Sequence, residues 1–105
     1  MSANYQIEWL EPAKDDLRDI VFYLINKVPV LALSVQEAIE SQLTVLETFP
    51  HISQRNAYFD DVFDFKIKGL PYLVVYKIFP ATLKIEILAV MHDRRDRSNP
   101  KNYRL

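Results

Sequence analysis

The chain carries two kinds of hydrophobic pattern, helix-like in its first half and strand-like in its last third. From Ala13 to Leu24, apolar residues recur three and four positions apart, and a second stripe of this kind runs from Leu31 to Leu46. Such intervals bring side chains to one face of an α-helix, where they can be buried together. The first half therefore predicts two amphipathic helices.

Prolines mark the ends of these two helices. Pro12 fits the first turn of the first helix, where a backbone N–H has no intrahelical partner to lose. The helix breaks at Val28, because a residue that precedes a proline is pushed out of helical geometry. A linker this short folds the second helix back on the first as a hairpin, and the second helix is expected to end near Phe49 and Pro50.

Four other segments are strand-like, at positions 5–9, 63–68, 72–79 and 83–91, and apolar and polar residues alternate along the first two. Alternation puts successive side chains on opposite faces of a sheet, and the segment at 72–79 follows the turn residues Gly69 and Pro71, so each segment is a predicted strand. In the last of them, Leu83, Ile85, Ile87 and Ala89 are expected to share the apolar face. Positions 51–61 follow neither period and are predicted to form a loop.

The predicted order is β-α-α-β-β-β, within one domain of residues 1–105. This order corresponds to an α+β fold in which a helical hairpin packs on a mainly antiparallel four-stranded sheet. The periodicity leaves open where the first strand joins the sheet. The expected core places Trp9, Leu17, Ile20, Leu43 and Leu46 against Phe65, Ile67, Val74, Ile85 and Ile87.

Composition describes an ordinary globular protein with an unevenly distributed charge. Half of the 105 residues are apolar and the net charge is −1, but positions 92–105 hold five basic residues against two acids, or +3. The absence of cysteine excludes disulfides, thiolate metal sites and cysteine nucleophiles. No apolar run approaches the roughly 20 residues of a membrane helix. The expected location is the cytoplasm, with no membrane partner.

Most catalytic and ligand-binding motifs are missing from the sequence. A single glycine excludes a glycine-rich phosphate loop or a dinucleotide-binding motif. His51 and His92 lie in different segments with no metal-ligand spacing. Asp60, Asp61 and Asp64 form a small acidic cluster, which we interpret as a solvated loop and strand end. No metal and no cofactor are expected.

A basic surface is the remaining candidate for chemistry. Lys66 and Lys68 point the same way on one predicted strand, and arginines follow the last strand. Lysine and arginine neutralise phosphates, but they also line ordinary solvated faces, and neighbouring acids such as Asp93 can pair with them. The residues alone leave both interpretations open.

In these segments the sequence resembles the RelE/ParE superfamily of bacterial toxins, also known as plasmid stabilisation proteins. The similarity covers almost the whole chain, and its parts occur in the usual order and spacing. They are Ile7-Glu8-Trp9, Pro12-Ala13, the segments at 16–20, 43–50, 72–78 and 85–92, and Arg94-Arg95-Asp96. The resemblance implies the same α+β fold, a type II toxin–antitoxin module and a cognate antitoxin as partner.

The superfamily divides by activity, and this sequence departs from the branch that cleaves mRNA on the ribosome. The resemblance places basic residues on two strands and at the end of the last strand of those members. Here Lys66 keeps one such position, whereas Asp64, Leu73 and Asp93 occupy others. Cleavage needs positioned groups that activate the 2′-hydroxyl and stabilise phosphorane charge. The chain is therefore more similar to the ParE-like branch, whose members poison DNA gyrase by binding rather than as enzymes.

Two alternatives stay open beside the gyrase inhibitor. One is a RelE-type ribosome-dependent mRNA endoribonuclease, for which the catalytic candidates are Lys66, His92 and Arg94. The other is a non-toxic partner in an antitoxin repressor complex. The expected target-binding residues are basic and follow the last strand: Arg94, Arg95, Arg97, Lys101 and Arg104. The expected antitoxin-binding residues are apolar and lie off the main stripe of the first helix: Phe22, Tyr23 and Ile25.

Overall fold

The computed structural model describes residues 4–93, in which two helices pack on a five-stranded sheet. The elements are β1 (Gln6–Trp9), α1 (Glu11–Lys27), α2 (Pro29–Leu43), a 3₁₀ turn (Thr44–Glu47), β2 (Gln54–Arg55), β3 (Val62–Lys66), β4 (Tyr72–Phe79), a second 3₁₀ turn (Pro80–Thr82) and β5 (Lys84–His92). The α+β class and the helical hairpin are confirmed. Within these residues neither helix is long and apolar enough to cross a membrane.

The helix boundaries follow the prolines. Pro12 lies in the first turn of α1, and Val28 leaves helical geometry with φ −141° before Pro29 opens α2. α2 ends at Leu43, before the predicted end near Phe49, and the chain continues as a 3₁₀ turn. The tighter winding still keeps Leu46 fully buried.

The strand order is β1-β5-β4-β3-β2. β1 pairs with β5 in parallel, which answers how the first strand joins the sheet, while β5, β4, β3 and β2 pair in antiparallel fashion. The predicted count of four strands is wrong, because the segment expected to be a loop contains β2. This fifth strand is two residues long, too short to produce a detectable alternation.

A β-bulge changes the predicted face of Ala89. Tyr76 pairs with Ile87 and Val75 pairs with Ala89, so Leu88 is an extra residue in β5. The extra residue reverses the alternation along the strand. Ile87 consequently packs on the helix side, whereas Ala89 packs on the opposite side of the sheet.

Both faces of the sheet are buried. The larger cluster lies between hairpin and sheet and contains the predicted core residues, with Trp9, Ile20 and Phe65 at its partly buried border. A smaller cluster on the other face gathers Val62, Leu73, Val75, Leu88, Ala89 and Met91, with Leu10 and Phe59 packed against it. The predicted packing of the hairpin stripes on Ile67, Val74, Ile85 and Ile87 is confirmed.

Polar side chains fix the segment between α2 and β3. Asn56 donates to the buried Asp64 carboxylate at 3.2 Å and accepts the backbone N–H groups of Tyr58 and Phe59 at 2.8 and 3.1 Å. The fully buried Tyr76 donates its hydroxyl to the carbonyl of Pro50 at 2.7 Å. These bonds hold β2 against β3 although only two residues pair.

Gln42 fixes the turn between β3 and β4. Its side-chain amide donates to the carbonyl of Lys68 at 3.0 Å and accepts the Lys68 N–H at 2.8 Å. A primary amide matches a peptide group, so it satisfies both backbone groups of Lys68 and ties the turn to the end of α2.

Candidate functional site

The structure brings two of the three nuclease candidates together around Asp93. The Lys66 ammonium lies 3.0 Å from Oδ2 of Asp93, and Nδ1 of His92 lies 3.4 Å from Oδ1 of the same carboxylate. The backbone N–H of Asp93 donates to Pro71 at 2.9 Å, which places this carboxylate at the end of the β4–β5 ladder. Arg94, the third candidate, lies outside the described residues.

The Lys66 ammonium contacts acceptors from its own fold, while about half of the side chain, 52%, stays exposed. Besides Asp93, its ammonium donates to the carbonyls of Ile67, at 3.3 Å, and Leu70. These carbonyls flank the turn at Gly69, whose φ of 82° favours glycine. Lys66 therefore ties the β3–β4 turn to the end of β5, and its charge is already compensated by a carboxylate.

An open cleft of about 970 Å³ extends beside this cluster, along the outer edge of β3. Its charged lining is mixed, with Lys66 and Lys68 facing the same space as Asp64 and Asp93. Leu73, where the mRNA-cleaving members of the superfamily are expected to carry a basic residue, is buried in the smaller cluster. An RNA phosphate entering this cleft would meet two carboxylates, which repel it.

The five basic residues expected to bind the target, Arg94, Arg95, Arg97, Lys101 and Arg104, lie outside the described residues. They follow directly after Asp93. No group of three or more histidine or acidic side chains that could hold a metal ion occurs within residues 4–93.

The three residues expected to bind the antitoxin are exposed but do not form one surface. Phe22, Tyr23 and Ile25 are 60, 61 and 49% exposed. Tyr23 lines a cleft between α1 and β5, which Phe22 and Ile25 do not line. Successive helix residues are about 100° apart, so Phe22 and Ile25 face a different flank of α1.

We call the space beside Tyr23 the hairpin cleft. It has a volume of about 520 Å³, and its lining combines apolar residues with two aspartates and a histidine. The lining residues are Asp16, Asp19, Ile20, Tyr23, Leu24, Leu31, Pro71, Tyr72, Val90, Met91 and His92. Burial raises the pKa of Tyr72, and the nearby Tyr23 adds to this effect. The Tyr72 phenol therefore stays neutral at physiological pH and presents a hydroxyl group beside an apolar floor.

Asp16 and Asp19 were not among the predicted site residues. Asp16 is buried, and its Oδ2 accepts the backbone N–H of Val90 at 3.0 Å. The sequence contains one signal for this role, since Asp16 directly precedes Leu17 beside the apolar stripe of α1. A carboxylate so close to a buried stripe needs a hydrogen-bond partner from another element.

A family model described as "ParE toxin of type II toxin-antitoxin system, parDE" matches residues 7–97. No relative of matching sequence is found among the curated proteins.

Three solved structures illustrate the shared fold. The chromosomal ParDE toxin–antitoxin system from P. aeruginosa superposes with a TM-score of 0.74 at 19% identity, over 87% of this chain and 98% of that one. A mutant of E. coli toxin RelE in the free state gives 0.68 at 14% identity, over 95% and 94% of the two chains. The intact E. coli RelBE complex gives 0.65 at 18% identity, over 87% and 99%.

Proposed function

This chain belongs to the ParE toxin family, and from that membership we propose that it arrests growth by binding DNA gyrase rather than by cleaving mRNA. The observation that carries the proposal is the ion pair between Lys66 and Asp93. It engages the one basic strand residue that the chain shares with the mRNA-cleaving branch.

The chemistry of the Lys66 cluster supports binding over cleavage. A nuclease site must present a cation to the phosphorane oxygens and a group that moves a proton at the 2′-hydroxyl. Lys66 donates instead to Asp93 and to carbonyls of its own turn. The buried Asp64 adds negative charge to the same cleft. Each of these features opposes the binding of an RNA phosphate.

The proposed contact with gyrase is the basic segment after Asp93. It holds five of the thirteen lysine and arginine residues of the chain. A cluster of this kind attracts an acidic protein surface at long range and adds contacts without changing the core. We propose Arg94 and Arg95, with Arg97, Lys101 and Arg104, as the residues that bind the target.

Family membership also implies a cognate antitoxin. We propose that it covers the exposed apolar residues of the helical hairpin, because Phe22, Tyr23 and Ile25 are each about half or more exposed and binding would remove their apolar surface from water. Phe22 and Ile25 would form one contact, and Tyr23 in the hairpin cleft a second. Antitoxin segments that fold on binding suit two contacts on different flanks.

The experiment that tests the activity is inducible expression in a bacterial host, with growth and mRNA 5′ ends measured together. The wild type is expected to arrest growth without new mRNA ends in translating cells. Lys66→Ala should arrest growth as strongly as the wild type, whereas the double change Arg94→Glu and Arg95→Glu should lose the arrest. Circular dichroism should show that both variants are folded.

The opposite pattern would assign the protein to the nuclease branch. In that case new mRNA ends appear, and Lys66→Ala and His92→Ala abolish both cleavage and arrest. Normal growth on expression of the folded wild type would instead identify a non-toxic partner of the antitoxin.

A further inference from the structure

A turn just before β2 exposes apolar side chains that lie outside the helical hairpin. Phe49 and Ile52 are 59 and 60% exposed, and the backbone N–H of Ile52 donates to the Phe49 carbonyl at 3.2 Å. Single exposed apolar residues are common on folded proteins. This turn differs from them because it is held rigidly and borders a cleft.

Contacts on both sides hold the turn in place. The Tyr76 hydroxyl donates to the Pro50 carbonyl at 2.7 Å, and the His51 ring packs edge-on against Phe63 with centroids 5.4 Å apart. The side chain of Asn56 fixes the loop that follows β2. A surface that is ordered before binding loses less conformational entropy in the complex, which raises the affinity for a given contact area.

We call the open cleft of about 970 Å³ beside Lys66 the loop cleft. Ile52 lies on its wall together with the half-buried Val45 and Phe65. Two lysines and two aspartates also line it, so their charges cancel, and Lys66 pairs with Asp93 at 3.0 Å. Burial of a further charge here would cost its hydration without a partner in return. The loop cleft therefore suits an uncharged, apolar side chain.

The loop cleft reaches the point at which the basic segment begins. Asp93 lines the cleft, and Arg94 and Arg95 follow it directly along the chain. Successive Cα atoms are about 3.8 Å apart, so a partner that pairs with these arginines lies near the mouth of the cleft. Within residues 4–93 the hairpin cleft shares no lining residue with the loop cleft, and its Asp16 and Asp19 would repel an acidic partner.

We propose that the loop cleft receives an apolar side chain of gyrase, from the same acidic surface that pairs with Arg94 and Arg95. This inference rests on the proposed function, since it takes gyrase as the target, and it adds a contact that does not depend on charge. The basic segment attracts the target at long range, and Ile52 then buries apolar area against it at close range.

The test measures the Kd of the full chain for purified gyrase holoenzyme by surface plasmon resonance. The forms compared are the wild type, Ile52→Gln, Ile52→Val and the matched control Leu33→Gln, which changes an 86% exposed residue of α2 outside the cleft. We expect Ile52→Gln to raise the Kd about 10-fold or more, Ile52→Val by no more than about 4-fold because it removes one methylene, and Leu33→Gln by under about 2-fold. Thermal unfolding should show that all four forms are equally folded.

Salt separates the two parts of the proposed contact. Dissolved ions screen exposed charges and leave apolar burial in place, so the factor by which Ile52→Gln raises the Kd should stay constant between about 50 and 300 mM salt. The factor for the double change Arg94→Glu and Arg95→Glu should shrink over the same range.

The outcomes separate this inference from the function on which it rests. If the folded wild-type chain does not bind gyrase, both are overturned. If it binds and Ile52→Gln matches its affinity, or Leu33→Gln weakens binding as much as Ile52→Gln does, the inference alone is overturned.

Two other occupants of the loop cleft are tested with the same variants. Ile52→Gln should bind the antitoxin encoded beside this gene as tightly as the wild type does, and its elution in gel filtration should be unchanged. A matching loss of antitoxin affinity would assign the cleft to the antitoxin, and a loss of self-association would assign it to a second copy of the chain. Either result overturns the inference.

Discussion

Replacing Tyr76 by phenylalanine should reduce the loss of stability at alkaline pH, because the phenol of Tyr76 is buried. The ring is fully buried, stacks on Phe63 with centroids 5.6 Å apart, and its hydroxyl donates to Pro50 at 2.7 Å. Burial raises the pKa of Tyr76 from 10.0 to about 12. The folded protein therefore holds this proton more tightly than the unfolded chain does.

The sign and the size follow from linkage between proton binding and folding. A pKa raised on folding contributes stability that is fully present below the unfolded value and is lost as the pH rises through the folded value. Each unit of pKa corresponds to about 1.4 kcal/mol, so the wild type should lose about 1.4 kcal/mol through this group by about pH 11 and up to about 2.7 kcal/mol above pH 12. Tyr76→Phe has no phenol to ionise, so its free energy of unfolding does not show this loss.

At neutral pH the variant should be less stable, because it leaves the Pro50 carbonyl without its donor. A neutral hydrogen bond contributes about 0.5–1.5 kcal/mol. The free energy of unfolding of the wild type should therefore exceed that of Tyr76→Phe at about pH 8 and fall below it near about pH 11–12. Urea unfolding at a series of pH values measures both, and subtraction of the two curves removes the titration of the lysines.

Tyr58→Phe is the matched control, since that ring is 60% exposed. Its curve should run parallel to the wild type over the whole range. If the free energy of unfolding of Tyr76→Phe ran parallel to that of the wild type from about pH 8 to 12, the assignment of a raised pKa to this buried phenol would be refuted.

The remaining predictions concern packing and the β3–β4 turn. Leu43→Ala and Ile85→Ala should each reduce the free energy of unfolding by about 2–5 kcal/mol, and a loss under about 1 kcal/mol at both would mean that the buried stripes are misassigned. The exposed Leu33→Ala is their control. Gln42→Ala should reduce the free energy of unfolding by about 1–3 kcal/mol, because it removes two hydrogen bonds to the backbone of Lys68, and an unchanged stability would contradict this role of the amide.

Local sequence signals were sufficient to predict the helical hairpin. They failed for features that depend on pairing with a neighbouring strand. Pro12 and Pro29 act through their own backbone geometry, so their effect is visible in sequence. The bulge at Leu88 is not visible in sequence, because residues 87–91 are all apolar and only the pairing with β4 shows which face each one takes. β2 has the same property, since two residues cannot show a period.

The functional residues, like the fold, could be predicted from the sequence only in part. The resemblance identified Lys66 and His92, but their common contact with Asp93 depends on how the ends of β3 and β5 approach each other. The hairpin cleft joins Asp16 to Val90, which lie 74 positions apart. Spacing along the chain carries no information on such a contact. The basic segment proposed to bind the target lies outside the described residues, so its role stays a prediction.

Inhibition of purified DNA gyrase is the direct assay of the proposed activity. The full chain, freed of antitoxin, is added to gyrase, ATP and relaxed plasmid, and the supercoiled product is measured on a gel. We expect the wild type and Lys66→Ala to inhibit supercoiling or trap cleaved plasmid, and the folded double variant Arg94→Glu, Arg95→Glu to do neither. Unimpaired supercoiling in the presence of the folded wild-type chain, whose expression nevertheless arrests growth in cells, would show that gyrase is not the target.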